Sequence, residues 1–219
     1  MKAKNNITAN AIISKFMDEV LMTGQKPTSV YKFSKELKID ERTFFANFSS
    51  FEQLERQIFA KFFENSLTLL QSNSEYETYD AKNKLLSLYF TLFETFTANR
   101  SYVLFSLKEQ STPLKSLKTL NRLKHVFCEY IKSLDIEKIE IKQENLNKSQ
   151  AKGQQELFWI QFLLILKFWL DDNSPSFEKT DVFIEKNIHA GFDLINTKPV
   201  KSILDLGKFI FKEKINSNV

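Results

Sequence analysis

Only four glycines and four prolines punctuate the 219 residues of this chain. A fold built from many β-turns needs left-handed or φ-locked residues every few positions, so this scarcity points to long helices instead. The prolines stand where helices are expected to begin: Pro27 before Thr28, Pro113 after Thr112, Pro175 after Ser174, and Pro199 ahead of a last apolar-periodic stretch. A first helical turn has no use for the N–H that proline lacks, and a neighbouring Thr or Ser can cap the exposed donors. Gly24 is placed to close the first helix. The pattern predicts an all-α chain of about ten helices, at about 6–23, 29–36, 41–47, 51–72, 80–99, 100–110, 113–133, 153–172, 175–196 and 200–214. A hydrophobic content of 42% with 22 Phe supplies the core such a chain needs.

Between these helices two stretches change composition. Residues 72–80, SNSEYETYD, separate a small N-terminal unit from a larger remainder, and residues 135–156, DIEKIEIKQENLNKSQAKGQQE, read as a connector rich in charge, Asn and Gln. A structureless loop that long is uncommon, so part of it is expected to be helical or mobile. The longest apolar run, LFWIQFLLILKFWL from Leu157 to Leu170, is broken by Gln161 and Lys167. It is shorter than the about 20 residues that cross a bilayer, and reads as a helix enclosed on several sides. The opening MKAKNNITANAIISKF lacks the apolar stretch of a signal peptide, and the single Cys128, read as an inert core thiol, forms no internal disulfide. A cytoplasmic protein without a membrane segment is the expectation.

Catalytic patterns are missing. His125 and His189 lie far apart, with no Cys or carboxylate at ligand spacing, so no metal site is expected. No glycine-rich phosphate loop, nucleophile elbow or triad occurs, and the pair Asp171–Asp172 reads as the polar end of a helix. The chain is therefore read as a non-enzyme with no cofactor. The net charge of +4 is concentrated early: residues 1–50 carry Lys2, Lys4, Lys15, Lys26, Lys32, Lys35, Lys38 and Arg42 against Asp18, Glu19, Glu36, Asp40 and Glu41. That bias suits a nucleic-acid partner and equally a solvated mixed-charge surface.

The stretch IDERTFFANFSSFEQL, Ile39 to Leu54, brings Phe44, Phe45, Phe48 and Phe51 close together among Arg, Asn and Ser. On a helix from Glu41, Phe44 and Phe48 share the inner face, Arg42, Thr43 and Ala46 point outward, and Phe45 and Asn47 lie on the flanks. Asp40 can cap its start. A preceding helix capped by Thr28 would bury Val30, Phe33 and Leu37, leaving Lys38–Ile39–Asp40 as the turn of a helix-turn-helix. Ser50 and Gln53 form a capping-box pattern at the start of the next helix.

These residues carry a resemblance. GQKPTSVYKFSKELKIDERTFFANFSSFEQLERQIF, Gly24 to Phe59, resembles the N-terminal DNA-binding region of the TetR family of bacterial transcriptional regulators. Thr28, Val30, Phe33, Ile39, Asp40, Thr43, Phe45, Phe48 and Leu54 occupy the family's positions. FWLDDNSPSFEKTDVFIEKNIHAGFDLI, Phe168 to Ile195, resembles the last helices of a C-terminal regulatory domain in a subgroup of TetR-like proteins. The resemblance implies a three-helix DNA-binding domain over residues 1–50, a connecting helix 51–72, and a larger effector-binding and dimerisation domain over 73–219. It implies a homodimer on near-palindromic double-stranded DNA, a repressor released by an apolar small-molecule effector.

DNA contact would then fall on Thr28, Ser29, Lys38, Arg42, Thr43, Phe45, Ala46 and Asn47: Arg pairs with guanine, Asn with adenine, and Thr meets phosphate or a thymine methyl. Phe90, Phe93, Phe105, Phe127, Tyr130, Trp159, Phe162, Leu163 and Leu166 are candidates to line the effector cavity; such a set also serves as plain core. Three departures stand beside the matches. Lys38 replaces the family's turn glycine, Phe45 its tyrosine, and Phe51 its lysine at the entry to the fourth helix, and the last two remove phosphate contacts. A second reading stays open: a TetR-fold carrier of hydrophobic ligands, or an interaction module, that no longer binds DNA.

Overall fold

The computed structural model of the chain describes residues 8–108, 113–134, 136 and 144–195. The helix expected at 200–214 lies outside the described residues. Those described form ten α-helices and no strand: α1 (Ala9–Thr23), α2 (Val30–Glu36), α3 (Glu41–Phe45), α4 (Phe51–Gln71), α5 (Ala81–Ala98), α6 (Arg100–Lys108), α7 (Pro113–Thr119), α8 (Asn121–Ser133), α9 (Glu144–Asp171) and α10 (Glu178–Ile195). Short 3-10 turns at Ser74–Thr78 and Pro175–Phe177 precede α5 and α10.

Local chemistry sets most of these ends. Thr8 accepts from the Ala11 N–H to start α1, and Gly24, at φ 66°, closes it by donating to the Val20 carbonyl. That left-handed closure is a conformation glycine adopts without steric cost. Ser29, rather than Thr28, caps α2 by accepting from Lys32 N–H. Ser50 caps α4 through Gln53 N–H at 3.2 Å. The reciprocal half of that capping box is absent, because the Gln53 side-chain oxygen is buried without a partner.

Three expected elements differ. The helix read as 113–133 is two, α7 and α8, broken at Leu120 without a Gly or Pro to announce it. The helix read from 153 begins at Glu144, so the connector's Asn- and Gln-rich second half is helical. Asp172 is not a solvated helix end. It is 6% exposed and caps α10 from outside, accepting from Ser174 N–H and Oγ at 2.8 and 2.7 Å and from Thr180 N–H and Oγ at 3.0 and 2.7 Å. Burial acts to raise its pKa, but these bonds to the charged form prevail and hold it at about 2.

The chain divides into two compact units, one of residues up to Ser72 with Thr91–Phe127, the other of Asn73–Phe90 with the described residues from Cys128 onward. In the first, Ile12, Phe16 and Val20 form the inner face of α1 and are fully buried with Phe44, Leu54 and Phe59. Further along α4, Phe62 meets Phe96 at 6.0 Å and Phe63 meets Phe127 at 6.2 Å. Each such ring contributes about 1.5–3 kcal/mol by leaving water. In the second unit α9 and α10 pack together. Gln161 donates to the Asn187 carbonyl at 2.8 Å, and it passes so close to Gly191 that a Cβ there would lie 2.3 Å from its side-chain nitrogen.

Along α9 the apolar run is enclosed on one side only. Phe158, Phe162, Ile165, Leu166 and Trp169 are buried, whereas Leu157, Ile160, Leu164 and Phe168 are 37%, 54%, 56% and 36% exposed. The spacing of the exposed residues puts them in one stripe along the helix. Cys128 is half-buried.

Candidate nucleic-acid interface

The turn between α2 and α3 is set by hydrogen bonds across the end of α2. Lys38 N–H donates to the Lys35 carbonyl at 3.1 Å and Ile39 N–H to the Ser34 carbonyl at 3.0 Å, the paired closure that requires a left-handed residue between them. Lys38 is that residue, at φ 57°. A side chain there costs roughly 1–2 kcal/mol relative to the right-handed form. Asp40 then opens α3, accepting from both Thr43 N–H and Thr43 Oγ1 at 2.7 and 2.8 Å. Burial of Phe33 at 1% and Phe44 at 0% exposure ties both helices to one core, with Val30 and Leu37 only half-buried and Ser34 buried in their stead.

The rings close that core. Phe44 contacts Phe33 at 6.0 Å, Phe48 at 6.0 Å and Phe51 at 5.3 Å, mostly edge to face, the arrangement their quadrupoles favour. Phe51 also stacks on Phe16 at 5.5 Å. Phe51, half-buried, thus packs its ring against this core.

The outer face carries the expected DNA-contact residues with unequal availability. Thr28, Ser29, Lys38, Arg42, Phe45, Ala46 and Asn47 are exposed, and Thr43 is half-buried. The Arg42 guanidinium and Lys38 ammonium have no ion-pair partner among the described residues. Thr43 is different, since its hydroxyl is already donated to Asp40. Asn47 Nδ2 donates to the Thr43 carbonyl at 2.9 Å, so its amide is held against the helix end. Sequence reasoning missed Tyr31, 57% exposed with the Lys35 ammonium 5.3 Å from its ring centre; its position two residues past the Ser29 cap of α2 was the available signal.

Behind this face, Glu55 on α4 is 2% exposed and pairs with Lys26 at 2.6 Å. Its second oxygen is buried without a partner. Desolvation raises its pKa and Lys26 only partly offsets this.

The proposed cavity residues divide between the units. Phe93 and Phe127 are buried and Phe105 half-buried in the first; Tyr130, Trp159, Phe162 and Leu166 are buried, and Phe90 and Leu163 half-buried, in the second. Trp159 stacks on Phe162 at 5.2 Å, and the hydroxyls of Tyr130 and Tyr76 lie 2.6 Å apart. Among the described residues, cavities open elsewhere. One of about 740 Å³ includes Leu164, Phe168, Asp172 and Phe183 in its lining, one of about 450 Å³ includes Phe168, Val182 and Phe183, and one of about 540 Å³ lies between α4 and α8. None of the proposed residues lines these three.

Residues 84–210 match the family model described as the tetracyclin repressor-like, C-terminal domain. That match spans more than half of the chain, and together with the helix-turn-helix it settles the class: the chain belongs to the TetR family of transcription regulators. A crystal structure assigned to a tetR family transcription regulator from Shewanella sp. PV-4 is similar at 18% identity and a TM-score of 0.46, covering 85% of this chain and 94% of that one. No curated protein matches the chain in sequence. Among the described residues, no helix is long and apolar enough to cross a membrane.

Proposed function

We propose that this TetR-family regulator is a cytoplasmic homodimer that binds near-palindromic duplex DNA through α3 and is released by an apolar small molecule. The domain assignment that goes with it is residues 1–50 for DNA, 51–72 as connector, and 73–219 for effector and dimer contacts. The observation that carries the reading is the exposed Arg42 guanidinium, without an ion-pair partner among the described residues, on a helix whose inner face is anchored by Phe44. Arg42 would read a guanine edge while α2's first N–H groups hold phosphate. The uncovered stripe Leu157, Ile160, Leu164, Phe168 supports dimerisation, because an apolar face of that length is normally covered. Two such chains would set their α3 helices in successive major grooves.

Selection from a random duplex pool tests the reading. A palindromic consensus is expected, and Arg42→Ala should weaken it by about 1–3 kcal/mol per half-site while relaxing one base preference. Absence of any enriched sequence would sink it. Tyr31 and Phe45, 57% and 53% exposed, favour the second reading, in which this face meets an apolar partner and the chain carries a hydrophobic ligand. That reading predicts no enrichment together with a ligand-induced change in Trp159 emission.

A further inference from the structure

The cavity of about 540 Å³ between α4 and α8 is lined by Gln53, Arg56, Gln57, Asn121, Arg122 and His125, all within the first compact unit. Its chemistry is unlike that of the cavities bordered by Phe168. It joins two guanidinium groups to three carboxamides and an imidazole, and no carboxylate borders it. Neither Arg56 nor Arg122 forms an ion pair with a described residue.

The acids nearest Arg56 in sequence are engaged elsewhere. Glu52 is held by Ser50 and its own backbone N–H, which lower its pKa more than the Arg56 charge does. Glu55 is buried against Lys26. Arg122 stands in the first turn of α8, where the helix dipole disfavours a cation. The side-chain oxygen of Gln53 is buried with no partner, but as an acceptor it offers nothing to a phosphoryl oxygen, so the donors must come from the two guanidinium groups and the side-chain N–H groups beside them. Two forked cations facing one concavity suit a tetrahedral oxyanion, whose oxygens accept paired N–H bonds.

We infer that this concavity is a binding site for a phosphoryl group bridging Arg56 on α4 and Arg122 on α8. The phosphoryl can belong to a free phosphate-bearing small molecule or to the backbone of bound DNA. The site is separate from the α3 face and does not depend on how that face is used. Occupancy would fasten α4, the helix that leaves the helix-turn-helix, to α8.

The test compares the full chain with the double variant Arg56→Gln/Arg122→Gln, using Lys118→Gln/Lys132→Gln as a control of equal charge loss on exposed side chains. Inorganic pyrophosphate at constant ionic strength is titrated while melting is followed. For a free ligand, saturation should raise the melting temperature of the wild type and the lysine control by roughly 5 °C and leave the arginine variant unmoved. For DNA, pyrophosphate does nothing, but the arginine variant loses about two from the slope of log affinity against log salt on a duplex, and the lysine control does not. Equal thermal shifts in all three proteins, or no shift and a slope unchanged by the arginine substitutions, would overturn the inference.

Discussion

Two apolar segments of this chain meet opposite ends. Around α3, Phe16, Phe33, Phe44 and Phe48 are all at 3% exposure or less, although α2 and α3 together span only 12 residues. Along α9, a helix of 28 residues, Leu157, Ile160, Leu164 and Phe168 stay in contact with water. Richness in apolar residues does not decide which segment is closed. Helices turning back on one another can surround a ring from every side, whereas a long helix packed on α10 covers one face and leaves another open.

Truncating the closed core should have the largest effect. Phe44→Ala removes a ring in contact with Phe33, Phe48 and Phe51 and should cost about 3–5 kcal/mol in chemical denaturation. Both tryptophans, Trp159 and Trp169, lie in the other unit, so their emission should change less than the far-UV signal; equal loss of both would mean that the units do not melt separately. Next comes the packed side of α9. Gly191→Ala drives a methyl into Gln161, breaks its bond to Asn187, and should cost about 1–3 kcal/mol.

Two buried carboxylates extend the contrast to acid pH. The Asp172 pKa is depressed from 3.8 to about 2, so its contribution is present above pH 3.8 and is lost as pH falls through 2. Glu55 is raised above 4.5, so its contribution is present below pH 4.5 and is lost as pH rises through its folded value. Asp172→Asn should therefore flatten the acid side of the stability curve and cost about 1 kcal/mol near neutrality, as loss of a cap does. Glu55→Gln should remove a decline toward neutral pH. Urea midpoints from pH 2 to 7 separate the two.

Smaller still is Lys38→Gly, which relieves the left-handed strain at φ 57° and should stabilise by about 1 kcal/mol, measured by melting. Ile160→Glu with Leu164→Glu should leave the folding of one chain within about 0.5 kcal/mol. Sedimentation should nonetheless fall from twice 25.7 kDa to the single-chain mass. A wild type that already sediments as one chain would erase the contrast from which these tests start.

What was legible in the sequence was local. Phe44 and Phe48 repeat at helical spacing, Asp40 and Ser50 stand three residues before the N–H groups they accept, and Gly24 ends α1; each signal lies within a few residues of its effect. The cap that Asp172 places on Thr180 spans 8 residues, so adjacent acids read as a helix end. The α7–α8 break carries no glycine or proline, and the polar Asn and Gln of 144–156 hid a helix whose apolar period starts later. On α3 and its C-cap, the exposure of Arg42 and Ala46 followed from periodicity, whereas Thr43, read as outward, is half-buried. The engagement of Thr43 and Asn47 did not follow from it, because side-chain bonds to the backbone compete with outward contacts without altering the pattern.

Those two bonds bear on how freely the outward chemistry of α3 can change. Asp40 and Thr43 build the start of α3, Asn47 braces its end, and Phe44 holds it down. Replacing any of them to change a contact would also loosen the helix that presents it. On α3 and its C-cap, Arg42 and Ala46 are open to substitution without that penalty, whereas Phe45 keeps an edge-to-face contact with Phe44 at 5.5 Å, so a change of outward chemistry that leaves the helix intact has two positions there through which to move.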